Sequence, residues 1–544
     1  MEKRLFLAIG LSILVVWLYS FNAPKPLDPS SLQETSETVD NKRNVEISKE
    51  SKEAFSSTET LEAPPEQGQR IDETVEILDS QRLEIEISNI GATIDKVKIK
   101  EYDISLPLVG ITGISGYEKT PFVLDQSGEG EIQYTYENDD VKIVKTYAVG
   151  EGDYIIESGI SFYNKSDISK LIKLNIKSYS IEMSSLDKKS EKIDRIKARD
   201  KSLNEYVINS KNGIHRKAGA FKFSAKDKKE ESGQVLWSGF RNRYFCLLVK
   251  PQYETQGYRV NPVGENSLDL IIEAKEITIP SQGNVQFDSI IYAGPEKIDV
   301  LKEYGLGFEK IRKYYRFALF DGIAKIIASL MRTLHKIIPS WGICIILISI
   351  IIYFSMYPLT MRGMLSMKRM QSLQPIILKL KEKYKDNPQK MNKEMMGLYK
   401  EHKVNPLGGC LPMLLQMPVF IGLYQVLWRS VSFKGAQFLW IKDLSQPDRL
   451  FIFPFSLPII GNELNLLPLI MVVVMFFQQK LSAKNMVAAD PSQAAQQKMM
   501  ATIMPIFLGF IFYKFASGLT LYFTMFYFFS TFTQWKMSKS VKVG

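Results

Sequence analysis

The chain has 544 residues, with 69 Lys and Arg against 59 Asp and Glu for a formal net charge of +10, and only three cysteines and three histidines. Cys246, Cys344 and Cys410 cannot build a disulfide framework, and His215, His335 and His402 stand far apart without metal-ligand spacing. No phosphate-binding glycine loop is present, no cofactor or metal is expected, and the basic residues cluster beside apolar runs, which favours membrane topology and anionic headgroups over nucleic acid.

In chain order, Met1-Glu2-Lys3-Arg4 precedes an uncharged run, Leu5 to Phe21, which is about the minimum that crosses a bilayer. The following Phe21 and Pro24 are poor signal-peptidase context, so residues 1–21 are expected to be an uncleaved anchor with its N-terminus in the cytoplasm. Residues 22–70 are rich in Ser, Thr, Glu and Pro and poor in aromatics, a composition that cannot offset the entropy of ordering, so a disordered tether is expected.

Residues 71–300 alternate as strands do: Leu83, Ile85 and Ile87 face one way, and Glu84, Glu86 and Ser88 the other. Similar runs at 131–136, 141–149, 154–163, 171–179, 235–249, 268–274 and 287–292 predict an all-β sandwich. A sugar-processing enzyme is conceivable on such a fold, but no spaced carboxylate pair supports one, and a binding or scaffolding domain is preferred.

Residues 301–340 are expected to hold a basic amphipathic helix at the membrane surface. Phe308, Ile311, Tyr315, Leu319, Gly322, Ile326, Leu330, Leu334 and Ile337 recur at helical spacing opposite Lys310, Arg312, Lys313, Arg316, Lys325, Arg332 and Lys336. Packing of that helix on the sandwich is the alternative. Five apolar spans follow within residues 341–535, at about 341–360, 410–428, 466–479, 499–513 and 519–534. Lys- and Arg-rich segments place 362–403 and the tail 536–544 in the cytoplasm, giving six spans, cytoplasmic termini and an external β domain. The loop 362–403 is a helical hairpin, with stripes at Met364, Met367, Met370, Leu373, Ile377, Leu380 and Tyr384 and at Met391, Met395, Leu398 and His402. Asn387 caps its second helix, with Pro388 at the first helical position.

No charge lies within the core spans, which argues against a proton relay, although a channel or small-solute transporter is the alternative reading. Polar stripes remain: Ser349, Tyr353, Tyr357 and Thr360; Gln416 and Tyr424; Thr520, Thr524, Tyr527, Thr531 and Gln534. Each residue alone is more simply interhelical glue, but three stripes can line a semi-polar groove with Gln478 at its inner mouth. Such a groove has an energetic use. About 15 apolar residues entering lipid gain roughly 7 kcal/mol, while a charge at the midplane costs roughly 3 kcal/mol, so a lightly charged tail needs a lower barrier rather than ATP.

Met356-Tyr357-Pro358-Leu359-Thr360, Glu394-Met395-Met396-Gly397-Leu398-Tyr399-Lys400, Asn405-Pro406-Leu407-Gly408-Gly409-Cys410-Leu411-Pro412, Gln416-Met417-Pro418 and Ser517-Gly518-Leu519 before Tyr522 resemble the bacterial YidC insertases of the long type. The resemblance implies a non-enzymatic insertase and chaperone of the inner membrane, acting alone and with the Sec translocon and its accessory subunits on nascent membrane proteins. It also implies ribosome and lipid contacts, no specific nucleic-acid sequence, and a β-supersandwich in the periplasm. It places substrate-facing positions on Ser349 and, after Tyr522, on Phe523. It assigns substrate and ribosome contact to the hairpin, here to Arg362, Lys368, Arg369, Lys379, Lys381, Lys383, Lys385, Met391 and Met395. The family's groove arginine falls on Tyr353, so Tyr353 and neighbouring hydroxyls are expected to hydrate substrate, with Lys480 or Arg362 attracting acidic tails at the mouth.

Overall fold

A computed structural model describes residues 59–60 and 73–540, apart from 129, 183–203, 219–222, 265–266, 316, 386, 403, 405–410, 458–460 and 485–490. The expected anchor 1–21, most of the tether, the Asn405–Cys410 block and the end of the basic tail lie outside the described residues. Within the expected tether, Glu59–Thr60 pairs in parallel with Lys170–Leu171, a correction made possible because Lys170–Ile172 presents a free strand edge there.

The alternating runs become antiparallel sheets. A nine-stranded sheet has the order Gly213–Ala218, Glu205–Ser210, Val235–Arg241, Phe245–Pro251, Asn284–Pro295, Ile155–Asn164, Val141–Val149, Glu131–Glu137 and Val123–Gly128. A second sheet places Ser267–Ala274 between Asn175–Glu182 and Thr255–Pro262, and a third is built on Leu83–Ser88 and Thr93–Ile99. One apolar core joins all three, as period-two alternation requires: Leu83, Ile85 and Ile87 are buried with Tyr134, Ile143, Trp237, Leu270 and Ile291. Ser178 Oγ and Ser238 Oγ, 2.6 Å apart, pair across the two larger sheets. Lys145 is also enclosed; its Nζ donates to Gly91 O at 3.0 Å and Thr112 O at 2.9 Å.

The expected run 235–249 is two strands, because Asn242 Oδ1 accepts from the amides of Tyr244 and Phe245 and turns the chain. The β core also extends beyond residue 300. Helix α1 (Ile298–Glu303) and a 3-10 turn (Phe308–Ile311) bury Leu301, Phe308 and Ile311 in it. The single helix expected from residue 308 therefore starts later. Gly305 and Gly307 adopt positive φ, and Asp321 Oδ1 accepts from the amides of Tyr314 and Tyr315, holding the approach extended until α2 begins (Ala318–Ile337).

Among the described residues the following helices come next: α3 (Trp341–Ser372), α4 (Gln374–Lys383), α5 (Pro388–Glu401), α6 (Leu411–Arg429), α7 (Leu466–Lys484), α8 (Pro491–Phe512) and α9 (Ser517–Ser540). Among the described residues Trp341–Gly363 is long and apolar enough to cross a membrane, and Leu466–Leu481 and Ala501–Phe512 are shorter apolar helices. Helix α3 does not stop at Thr360; Pro358 lies inside it and it continues into the basic segment. A helical hairpin forms from α4 and α5, but Met364, Met367 and Met370 of the expected first stripe lie on α3, which ends at Ser372; Asn387 Oδ1 accepts from Lys390 N at 3.0 Å, and Leu373, Ile377 and Val404 are buried among Met370, Met395 and Leu398.

The α2 helix packs on α6 rather than on the sandwich, and only part of its expected stripe, Leu330 and Leu334, takes part. Ala324, Ile327, Ala328 and Met331 pack on Leu423, Val426 and Leu427 of α6, while Leu319, Ile326 and Ile337 stay exposed. Small residues allow the approach: a Cβ on Gly422 would lie 3.2 Å from Ala324 N.

Buried charges join the β domain to these helices. Arg241 Nε lies 2.8 Å from Glu205 Oε2, and Arg241 Nη1 and Arg312 Nε lie 3.2 and 3.0 Å from Glu296 Oε1. Arg241 also donates to the carbonyls of Ile311 and Lys313. Burial opposes ionisation of Glu296, but the Arg241 and Arg312 guanidiniums outweigh it and hold its carboxyl below the usual range. From the next turn Arg243 Nε donates to Trp428 O at 2.8 Å, its guanidinium 4.0 Å above the Trp428 ring, and Val431 enters the β core.

Candidate functional site

Helix α9 packs lengthwise on α3 and α7, and α7 on α8, whereas α6 pairs with α2 and meets α3 and α9 over short stretches. The seam between α6 and α9 is thus a short one among the described residues. Gln416 Nε2 donates to Tyr522 Oη across it at 2.8 Å, and Phe420 packs on Phe523 with ring centroids 5.2 Å apart. Tyr424 lies further along α6, stacked on Trp428 and edge-on to Phe515. The seam therefore combines a polar bridge with a semi-polar aromatic wall. Pro418 sits inside α6 beside it and leaves the Leu414 carbonyl without its helical partner.

The other expected groove residues divide by where their polar atoms point. The hydroxyls of Ser349 and Thr524 bond to carbonyls four residues back, Ile345 O at 2.7 Å and Thr520 O at 2.8 Å, and Thr520 bonds to Ala516 O at 3.4 Å. All three are buried and satisfied on their own helices. Tyr353 is 4% exposed and lies in the α3–α9 seam against Phe526 and Phe529, away from Gln416; its Oη is enclosed without hydrogen-bond geometry, with Thr533 as its polar neighbour. Tyr357 is half-buried one turn on. Gln478 is half-buried on α7, its Oε1 enclosed and without a partner among the described residues.

At the hairpin, Arg362, Arg369, Lys379, Lys383 and Lys385 are exposed, Lys381 is partly so, and the Lys368 side chain lies outside the described residues. Met391 and Met395 are half-buried, Met395 against the hairpin's own core, whereas Met396 is exposed. Lys480 is exposed at the end of α7.

Sequence reasoning missed the residues that set the helix ends near the seam. Asp448 Oδ2 accepts from Leu467 N at 2.9 Å and from Trp440 Nε1, completing the first turn of α7. Asn465 Nδ2 donates to Tyr513 O at 2.8 Å, joining the start of α7 to the end of α8. The signal for Asn465 was present: an Asn directly before Leu466-Leu467-Pro468 is a helix-start pattern.

Two family models match the chain: one described as "60Kd inner membrane protein" over residues 333–543, the other as "YidC periplasmic domain" over residues 117–330. Among curated relatives, "Membrane protein insertase YidC" of Chlorobaculum tepidum is 34% identical over 329 residues, covering 59% of this chain and 55% of that one. The protein of the same name from Pelobacter propionicus is 39% identical over 290 residues, covering 53% and 51%. The matched region thus spans about half the length of these relatives. A solved structure titled "Active YidC insertase crystal structure with the first transmembrane domain resolved" covers 98% of this chain and 99% of its own, at 17% identity and a TM-score of 0.38.

Proposed function

Because this chain belongs to the YidC family, inner membrane proteins with a periplasmic β domain, we propose that it is a membrane-protein insertase and chaperone, not an enzyme. The observation that carries the reading is the short α6–α9 seam bridged by Gln416 and Tyr522, set in spans without a charged residue. A hydrophobic segment slides between α6 and α9, and its polar flank exchanges hydrogen bonds with Gln416, Tyr522 and the enclosed amide oxygen of Gln478. Burial of the segment's apolar residues in lipid drives the transfer, and the seam lowers the barrier to the flank.

In this reading the chain crosses the inner membrane six times, with both termini and the 362–403 hairpin in the cytoplasm. The exposed Arg362, Arg369, Lys379 and Lys383 receive nascent chains and the ribosome, and the Sec translocon is a partner in assembly. The names of the curated relatives support the insertase activity.

The purified chain in liposomes, given a small single-span protein, should protect that protein's tail from external protease above the level of empty liposomes. Tail protection no higher than in empty liposomes, with the chain shown to be folded, would refute autonomous insertion.

A further inference from the structure

We propose that the β-hairpin between α6 and α7, Phe451–Leu457 paired with Gly461–Leu464, is seated in the outer leaflet and covered on both faces by lipid acyl chains. The assignment rests on the membrane reading above. The β domain is docked on the C-terminal end of α6 through Arg243, Trp428 and Val431, so the α6–α7 connection lies on the periplasmic side.

Two-stranded ribbons are marginal in water and need a covered face. Here, among the described residues, large apolar side chains are exposed on both faces. Phe451 is 55% exposed and its neighbour Ile452 59%, and successive strand residues point to opposite faces. Phe455, on the Phe451 side, is 57% exposed, and the three phenylalanines at 451, 453 and 455 pack on one another along the strand, with centroids 5.1 and 5.5 Å apart.

The sequence from Leu450 to Gly461 carries no charge. Charges appear at the base, where Arg449 Nε lies 2.9 Å from Glu463 Oε1 and Arg449 Nη1 donates to Gln446 Oε1 at 2.7 Å. An apolar blade with a charged collar matches the depth profile of an interface, acyl chains below and headgroups above. The blade also continues a surface already facing lipid in this reading: Leu464 leads directly into α7, whose Leu469, Val473 and Phe476 are exposed on one helix face. A protein partner would cover one face and pair polar groups at a rim; an apolar ribbon open on both sides suits a fluid that surrounds it.

The test uses the full chain, its three cysteines replaced, in phosphatidylethanolamine and phosphatidylglycerol vesicles. Nitroxides are placed at Phe455→Cys, at Val473→Cys on α7 and at Val123→Cys on the exposed edge of the β domain. The ratio of oxygen to nickel-chelate collisions at 455 should exceed that at 123 several-fold and approach that at 473. A ratio at 455 equal to that at 123, with 473 lipid-like, overturns the hairpin assignment and leaves the membrane reading standing. Shielding of 455 from both reagents also overturns it, in favour of a second copy or another protein segment. A water-like 473 removes the membrane reading itself, and this proposal with it. As a readout that leaves Cys246 and the β core untouched, Phe455→Trp in the unaltered chain should add emission that brominated lipid quenches; an unquenched increment overturns the proposal.

Discussion

Lys145 shows what a single enclosed charge does to this protein. Burial pushes its ammonium down from 10.5 to about 7, against a smaller opposing pull from Asp95, while Gly91 O and Thr112 O accept hydrogen bonds from its Nζ. The unfolded chain keeps a proton between those values that the folded β domain has released, so the folded state gains stability as pH rises from about 7 towards 10.5. Lys145→Met should remove that gain. Thermal unfolding of both proteins at pH 7 and pH 9 checks it, and parallel pH dependences would contradict the assignment. At the same scale, Tyr353 was identified in the sequence as a departure from the family pattern. Its position in the α3–α9 seam was not legible, since helical spacing gives a residue's face but not the neighbour that covers it.

Among the elements, α2 is the one whose sequence pattern misled most. Its large apolar residues suggested the buried face, yet the structure buries Ala324 against Gly422, with Ala328 on the same packed side, and leaves Leu319 and Ile326 outside. Where lipid is the solvent, small residues mark the packed side because close backbone approach supplies the contacts, and large ones can face outward. Gly422→Leu should therefore separate α2 from α6 and destabilise the core by about 1–3 kcal/mol, with Gly422→Ala milder. The unfolding midpoint in detergent measures this, and an unchanged midpoint for the leucine variant would show that the helices can move apart freely. The hairpin was read better. Its stripes and its Asn387 cap are local signals, and the helices needed only to fold onto one another.

For the whole molecule, the joint between β domain and membrane core is carried by charges that no motif announces. Glu296 accepts both Arg241 and Arg312, and the three come from separate parts of the chain. Glu296→Gln leaves two buried guanidiniums facing one another with Glu205 as the remaining carboxylate, a loss on the order of 3–5 kcal/mol. Limited trypsin digestion should then cut at Arg312 or Lys313 faster than in the parent protein, and equal cutting rates would show that the joint is held by packing alone.

The sequence by itself determined the class of the protein: an all-β region, a bundle of uncharged helices, a basic helical hairpin and the motifs of one family. Periodicity, charge sign and capping are local properties, and each is complete within about one to five turns of chain. The tertiary structure alone decided which polar stripes meet, that Gln416 reaches Tyr522 while Ser349 and Thr524 turn back to their own carbonyls, and that the β core ends at Ile311 and Val431. It also decided that Phe451–Leu457 pairs with Gly461–Leu464, in a stretch to which the sequence analysis assigns no element. These outcomes depend on the hydrogen-bond and packing partners available across large sequence separations, and a residue's own neighbours in the chain carry no record of them.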